Sequence, residues 1–190
     1  MINGFSYFHA PITNIVPFSN FTLLDAFNYI KSDIAKETTT HLRSLSPESR
    51  KIFKHNAFDY CTFSGIFSSR RNKNLVQHSN LVCFDFDHLP DVEAAFKLLL
   101  DDKYFETQLL FRSPSGDGLK WVISMEKPFL CREQHYKENQ ADYQANFFRA
   151  VSYYMLNEYN LTTDDSGKDI ARACFLPYDP EAYINPKAFL

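Results

Sequence analysis

The chain has 190 residues, 45% of them hydrophobic and 16% aromatic, and a formal net charge of −3. That length and apolar content fit one globular domain with a substantial core and exclude a largely disordered chain. A near-balanced charge assigns no partner by itself, and no apolar run approaches the length of a membrane span.

Cys61, Cys83, Cys131 and Cys174 are widely spaced and form no C-x-x-C pair, so reduced thiols in the cytoplasm are expected rather than a zinc site. The start, Met1-Ile2-Asn3-Gly4-Phe5, lacks the basic opening and long apolar stretch of a signal peptide.

In chain order, Phe5-Ser6-Tyr7-Phe8 reads as a first strand closed by the Pro11 region. Leu23, Phe27, Ile30 and Ile34 recur at spacings of three or four, which predicts an amphipathic helix from Thr22 to Ile34. Ser46-Pro47-Glu48 opens a short helix, with serine at the N-cap and proline at N1. It runs to about His55 and exposes Arg50, Lys51 and Lys54. Tyr60 to Phe67 alternates like a strand or tight hairpin, and a basic loop from Ser68 to Asn74 follows. Between His41 and His78, Arg43, Arg50, Lys51, Lys54, Arg70, Arg71 and Lys73 face only Glu48 and Asp59. Such a segment fits a nucleic-acid or polyphosphate face, although a solvated surface is the commoner meaning.

Leu81-Val82-Cys83-Phe84-Asp85-Phe86-Asp87 is an apolar strand carrying two carboxylates one residue apart. The period of two puts Asp85 and Asp87 on one face and Val82, Phe84 and Phe86 on the other. Two carboxylates so placed raise each other's pKa, and a divalent cation removes that cost. Mg²⁺ binds through one or two carboxylates plus substrate phosphates. The plainer alternative has one aspartate capping the next helix and the other solvated.

Asp91 to Leu100 predicts a helix with Val92, Ala95, Phe96 and Leu99 on its apolar face. Gln108 to Phe111 is a short strand, and Leu119 to Ser124 a second. A long helix from about Ala141 to Tyr159 turns Phe147, Val151, Tyr154 and Met155 inward. A polar turn from Thr162 to Asp169, a buried strand from Ala173 to Leu176 and a proline-punctuated tail complete the chain. The β-α-β-β-α-β order from Leu81 to Leu176 matches a ferredoxin-like, RRM-like core, so the predicted class is α+β. The expected organisation is a single domain: a basic α/β part over 1–78, a catalytic core over 79–180 and a tail over 181–190.

Two further motifs bear on chemistry. Ser113-Pro114-Ser115-Gly116-Asp117-Gly118 offers backbone N–H groups and hydroxyls to an anion, with Lys120 adding positive charge. A plain glycine hairpin has the same composition. Asp164-Asp165-Ser166-Gly167-Lys168-Asp169 supplies a further carboxylate for a metal, and Arg172 a fork suited to a triphosphate. An Asx-turn accounts for some of these acids in any case.

In this order the motifs resemble those of the archaeo-eukaryotic primase superfamily: hydrophobic-D-x-D, serine-x-histidine, hydrophobic-D. More narrowly, Thr62-Phe63-Ser64-Gly65, Leu81 to Asp87, Ser113 to Lys120 and Asp164 to Pro180 resemble the VirE N-terminal-like domain. That family of primase-like domains occurs in bacterial mobile elements and phage-like replication proteins, often ahead of a helicase. The resemblance covers roughly Ser46 to the C-terminus.

It implies a primase-polymerase fold and a metal-dependent nucleotidyltransferase in replication of a plasmid, phage or mobile element. The metal ligands it implies are Asp85, Asp87 and Asp164, with Asp165 as the alternative register for the third. They would hold two Mg²⁺ or Mn²⁺ ions. Ser113, Ser115, Gly116, Lys120 and Arg172 would bind the nucleoside triphosphate. Arg50, Lys54, Arg70 and Arg71 are assigned to a single-stranded DNA or RNA template, with a helicase fused or in trans and no membrane. Lys120 departs from the pattern, since the superfamily has histidine there. Lysine keeps a phosphate donor and loses the imidazole's geometry. That departure keeps open a second reading, a non-catalytic nucleotide- or single-strand-binding module that recruits a replication helicase. A haloacid dehalogenase-type phosphohydrolase fits poorly, because His88-Leu89-Pro90 follows the D-x-D and the pair lies mid-chain.

Overall fold

A computed structural model describes residues 4–125 and 139–189; Cys131 and residues Met1 to Asn3 lie outside them. The first part of the chain runs β1 (Phe5–Phe8), β2 (Ser19–Phe21), α1 (Leu23–Lys31), α2 (Lys36–Ser44), α3 (Pro47–Ala57) and β3 (Tyr60–Thr62). A short ribbon follows, β4 (Gly65–Phe67) and β5 (Leu75–His78). The second part is β6 (Leu81–Phe86), α4 (Val92–Leu100), β7 (Thr107–Arg112), β8 (Leu119–Ser124), α5 (Gln140–Tyr159), β9 (Cys174–Phe175) and β10 (Tyr183–Ile184). The fold is α+β, with two four-stranded antiparallel sheets ordered β2-β1-β3-β9 and β10-β7-β8-β6. No helix among the described residues is long and apolar enough to cross a membrane.

Alternation along the strands gives each sheet two buried faces. From the first sheet Phe5, Tyr7 and Cys61 share a core with Leu81, Leu109, Phe111 and Val122 of the second, so the sheets pack on one another. The outer face of the second sheet, through Phe84, Phe86, Leu110, Trp121 and Ile123, packs on α4 and α5. There Phe84 stacks on Phe148 at 4.7 Å, and the Trp121 indole N–H donates to Thr107 Oγ1 at 2.8 Å. Burying each such ring contributes about 1.5–3 kcal/mol. The D-x-D strand thus has its rings under α5 and its carboxylates on the face turned to the first sheet, as the period of two requires.

Local chemistry sets most element ends. Thr22 and Asp25 form a capping box on α1, Asp91 accepts from Ala94 N at the start of α4, and left-handed Asn160 ends α5. Pro47 starts α3, whereas Ser46 occupies the N-cap position without a capping bond. The helix expected to reach Ile34 stops at Lys31, because Ser32 turns extended, and Ile34 is left 68% exposed. On α5 the fully buried positions are Gln144, Phe148, Val151 and Met155, while Phe147 and Tyr154 flank them half-buried.

Two strands sit where the sequence order did not place them. The first three strands of the expected core are antiparallel neighbours in the order β7-β8-β6, as an RRM-like unit requires. The fourth does not pair with β6. The chain meets β6 through the Asp164 N–H, which donates to Asp85 O at 2.9 Å, then curls into a 3₁₀ turn at Asp165–Lys168. That turn breaks the extended path, and β9 emerges against β3 of the other sheet. The residues expected as a tail supply β10, which pairs with β7.

Asp59, just ahead of β3, ties the first sheet to α1. It accepts from the Tyr7 hydroxyl, from Tyr29 at 3.1 Å and from Ala10 N at 2.8 Å. Burial opposes ionisation, but these bonds outweigh it and hold the carboxyl below its usual pKa. A depressed folded-state pKa gives stability that is fully present above the unfolded carboxylate value and is lost as pH falls through the folded one. Asp59→Asn is therefore expected to cost about 2–3 kcal/mol at neutral pH and to flatten the acid limb of the stability curve. Urea melts from pH 7 to pH 3 check it, and parallel curves for parent and variant would contradict it.

Candidate metal centre

Asp85 and Asp87 leave the inner face at the C-terminal end of β6. His88 turns the chain sharply there, with φ of 54°. The hairpin between β7 and β8 packs against this end: Asp117 O accepts from Leu89 N at 2.8 Å, and Asp117 Oδ2 lies 2.8 Å from His88 Nδ1. Gly118 is required at this approach, since a Cβ would fall 2.3 Å from Phe86 O. The hairpin therefore fixes the backbone from which Asp87 projects.

Asp164 reaches the pair because its backbone is docked on Asp85. Ligand oxygens of Asp85, Asp87 and Asp164 all lie within 4.8 Å of one another. Of the two registers, Asp164 is brought in, whereas Asp165 is exposed and paired with Lys168. Asp164 is itself held by Ser166, whose N–H and hydroxyl donate to it at 3.0 and 2.7 Å, and by Arg172 Nη2 at 2.8 Å. Partial burial pushes its pKa up, but these partners outweigh that and leave it low. Asp87 titrates in the opposite direction, raised by desolvation and by the neighbouring Asp85.

Lys120 stands directly across from Asp85 in the β6–β8 ladder, and its ammonium donates to Asp85 Oδ2. Both residues are 8% exposed. Burial alone would lower the lysine's pKa, yet the Asp85 carboxylate overrides it and raises the value. Asp85 Oδ1 is buried and has no hydrogen-bond partner. Behind the pair, Cys83 and Cys174 sit as free thiols with sulfurs 3.8 Å apart.

In front of the acids opens a cleft of about 220 Å³. Lys54 and His55 from α3, Arg70 from the loop after β4, and Arg172 line it together with Asp85, Asp87 and Lys120. Arg70 is fixed by Ile12 O at 2.8 Å and by the Tyr60 hydroxyl at 3.1 Å, with its guanidinium over the Tyr60 ring. Burial and Lys120 lower the Lys54 pKa, and burial with Lys54, Lys51 and Arg172 lowers that of His55. A cleft in which cations depress one another's protonation has capacity for an anion.

Other residues assigned from the sequence lie elsewhere. Ser113, Ser115 and Gly116 do not line the cleft. Their loop instead presents carbonyls to Arg43, with Pro114 O at 3.2 Å from Nε and Ser113 O at 3.4 Å from Nη2. Ser113 N–H closes the hairpin on Gly118 O at 2.8 Å. Arg50 is spent on the end of α2, donating to Leu45 O and Arg43 O at 3.0 Å each. Arg71 is exposed and does not line the cleft. His55 was missed, because a lone histidine inside a basic helix carries no spacing signal.

A family model described as BT4734-like, N-terminal domain matches residues 53–184. That stretch runs from α3 to β10 and contains every cleft residue except Ile12. None of the curated proteins and none of the solved structures compared matches the chain.

Proposed function

The chain belongs to the family of BT4734-like N-terminal domains, and from the geometry of its cleft we propose a metal-dependent nucleotidyltransferase of the primase-polymerase type. The observation that carries this reading is the meeting of Asp85 and Asp87 with Lys54, Arg70 and Arg172 around one cleft, with Asp164 grouped with the two acids and bonded to Arg172. Carboxylates suit a hard divalent cation, and the facing cations suit a polyphosphate. The donor set fits Mg²⁺ or Mn²⁺: all oxygen, closely grouped, with buried Asp85 Oδ1 still lacking a partner. Bound there, such an ion lowers the pKa of an attacking hydroxyl and stabilises the leaving pyrophosphate.

The chain's own residues do the positioning. Arg172 is 45% exposed at its side chain and offers its fork to a triphosphate from the cleft wall. Arg70, held by Ile12 and Tyr60, presents a fixed charge, and Lys54 adds another from α3. Lys120 holds Asp85 in place through its ammonium. Exposed Arg71 extends this basic side toward a single-stranded DNA or RNA template. Replication of a plasmid, phage or mobile element, with a helicase fused or in trans, is the setting this chemistry serves.

Arg172→Ala is expected to weaken binding of a fluorescent Mg²⁺–nucleoside triphosphate about tenfold or more, the loss of a charged hydrogen-bonding partner. Arg71→Ala, outside the cleft, should leave that affinity within about twofold while weakening single-strand binding. Equal affinity in parent and Arg172→Ala would count against the triphosphate site.

The Lys120–Asp85 ion pair favours a second reading, a nucleotide- or single-strand-binding module without turnover. Its signature is binding of labelled single strand with no nucleotide joined under Mg²⁺ or Mn²⁺.

A further inference from the structure

We propose that the Lys120 ammonium takes the place of one divalent ion, so that this centre binds a single Mg²⁺ or Mn²⁺. The inference rests on reading Asp85, Asp87 and Asp164 as metal ligands.

A two-ion centre needs a carboxylate that bridges, because the ions sit about 3.5–4 Å apart and share ligands. Asp85 is the carboxylate placed to bridge, being the buried member of the trio. Its two oxygens are not equivalent. Oδ2 receives the Lys120 ammonium, and Oδ1 receives nothing. The register of β6 against β8 imposes this, since Lys120 stands opposite Asp85 on the same inner face and both are buried. Asp164 is similarly committed, with Oδ1 on Ser166 N and Oδ2 shared by Ser166 Oγ and Arg172. Among the described residues, the oxygens of the trio without a hydrogen bond are Asp85 Oδ1 and those of Asp87. Asp85 Oδ1 and the Asp87 oxygens are thus the open positions for one ion, with an Asp164 oxygen able to join through a remaining lone pair and water and substrate phosphates filling the rest.

Charge agrees with the count. The three carboxylates already face the Lys120 ammonium and the Arg172 guanidinium, so one divalent ion suffices to neutralise them. A second divalent ion would lie beside the ammonium, where Asp85 and Lys120 are each 8% exposed and the repulsion is weakly screened. A neutral imidazole at this position would set no positive charge against a second ion. Lysine is thus a resident monovalent cation.

The test is a Mn²⁺ titration of the intact chain, followed by electron paramagnetic resonance of the free ion. The parent is expected to bind one Mn²⁺ per chain. Lys120→Met, which keeps an unbranched apolar stem, loses the ammonium and frees Asp85 Oδ2, is expected to gain a second, and Lys120→His likewise. Two ions in the parent overturn the proposal, and that arm does not depend on any variant folding. A folded Lys120→Met that still binds one ion overturns it as well. No ion in the parent removes both this proposal and the ligand assignment. One ion in the parent with no nucleotide joined supports the inference and counts against the nucleotidyltransferase reading.

Discussion

Lys120→Ala is expected to lower the unfolding midpoint by roughly 10 °C. Lys120 and Asp85 are each 8% exposed and joined by an ion pair. Removing one partner leaves the other charge buried, which costs about 3–5 kcal/mol. In a chain of this length each kcal/mol moves the midpoint by about 2–4 °C. The double variant Asp85→Asn/Lys120→Met buries neither charge and is expected to recover most of the loss. Calorimetry of the three proteins checks both statements. A midpoint for Lys120→Ala within about 2 °C of the parent would mean that solvent reaches the pair. The exposed Lys36–Asp33 pair serves as control, since such surface pairs contribute about 0–1 kcal/mol.

Asp87→Asn is expected to reduce metal-dependent nucleotide incorporation by roughly 10³-fold, equivalent to about 4 kcal/mol of transition-state stabilisation. Its midpoint should stay within a few degrees of the parent, because Asp87 is exposed and makes no hydrogen bond among the described residues. Asp85→Asn should lose activity too, but it also strips Lys120 of its counter-charge, so that loss mixes chemistry with stability. Asp87 separates the two. Incorporation by folded Asp87→Asn within threefold of the parent would remove Asp87 from the ligands.

The D-x-D strand was legible because a period of two in a short apolar run states both which residues are buried and which face carries charge. Strand β8 and helix α4 were legible for related reasons, an apolar run framed by turn residues and a capping aspartate. Shorter or more polar elements were not. Helix α2 reads Lys-Glu-Thr-Thr-Thr-His-Leu-Arg-Ser, with a weak Thr-Thr-Thr-His centre, and is held by buried Thr39 and Leu42 and by Arg50 on the carbonyls at its end. Strand β5 exists through pairing with β4, and its own pattern is mostly exposed.

At the site, residue types were readable and their partners were not. Asp85 and Asp87 could be selected because carboxylates on an apolar strand carry a known cost, Arg172 for its fork beside an acidic turn, and Asp164 over Asp165 through the motif resemblance. That Lys120 faces Asp85 depends on the register of β6 against β8, two strands separated in the chain by α4 and β7. Arg43 and Arg50 looked like free positive charge in the sequence, yet each donates to backbone carbonyls. Lys54 and His55 enter the cleft through the packing of α3 beside β9, a long-range contact that no local pattern encodes.

The most direct measurement is incorporation of labelled nucleotides on a primed and an unprimed single strand, with Mn²⁺ or with a chelator. The account predicts product from the parent that disappears with the chelator and with Asp87→Asn. A folded parent that binds the strand and the triphosphate yet joins no nucleotide under Mg²⁺ or Mn²⁺ would contradict it, and would leave the cleft a binding site closed to chemistry by Lys120.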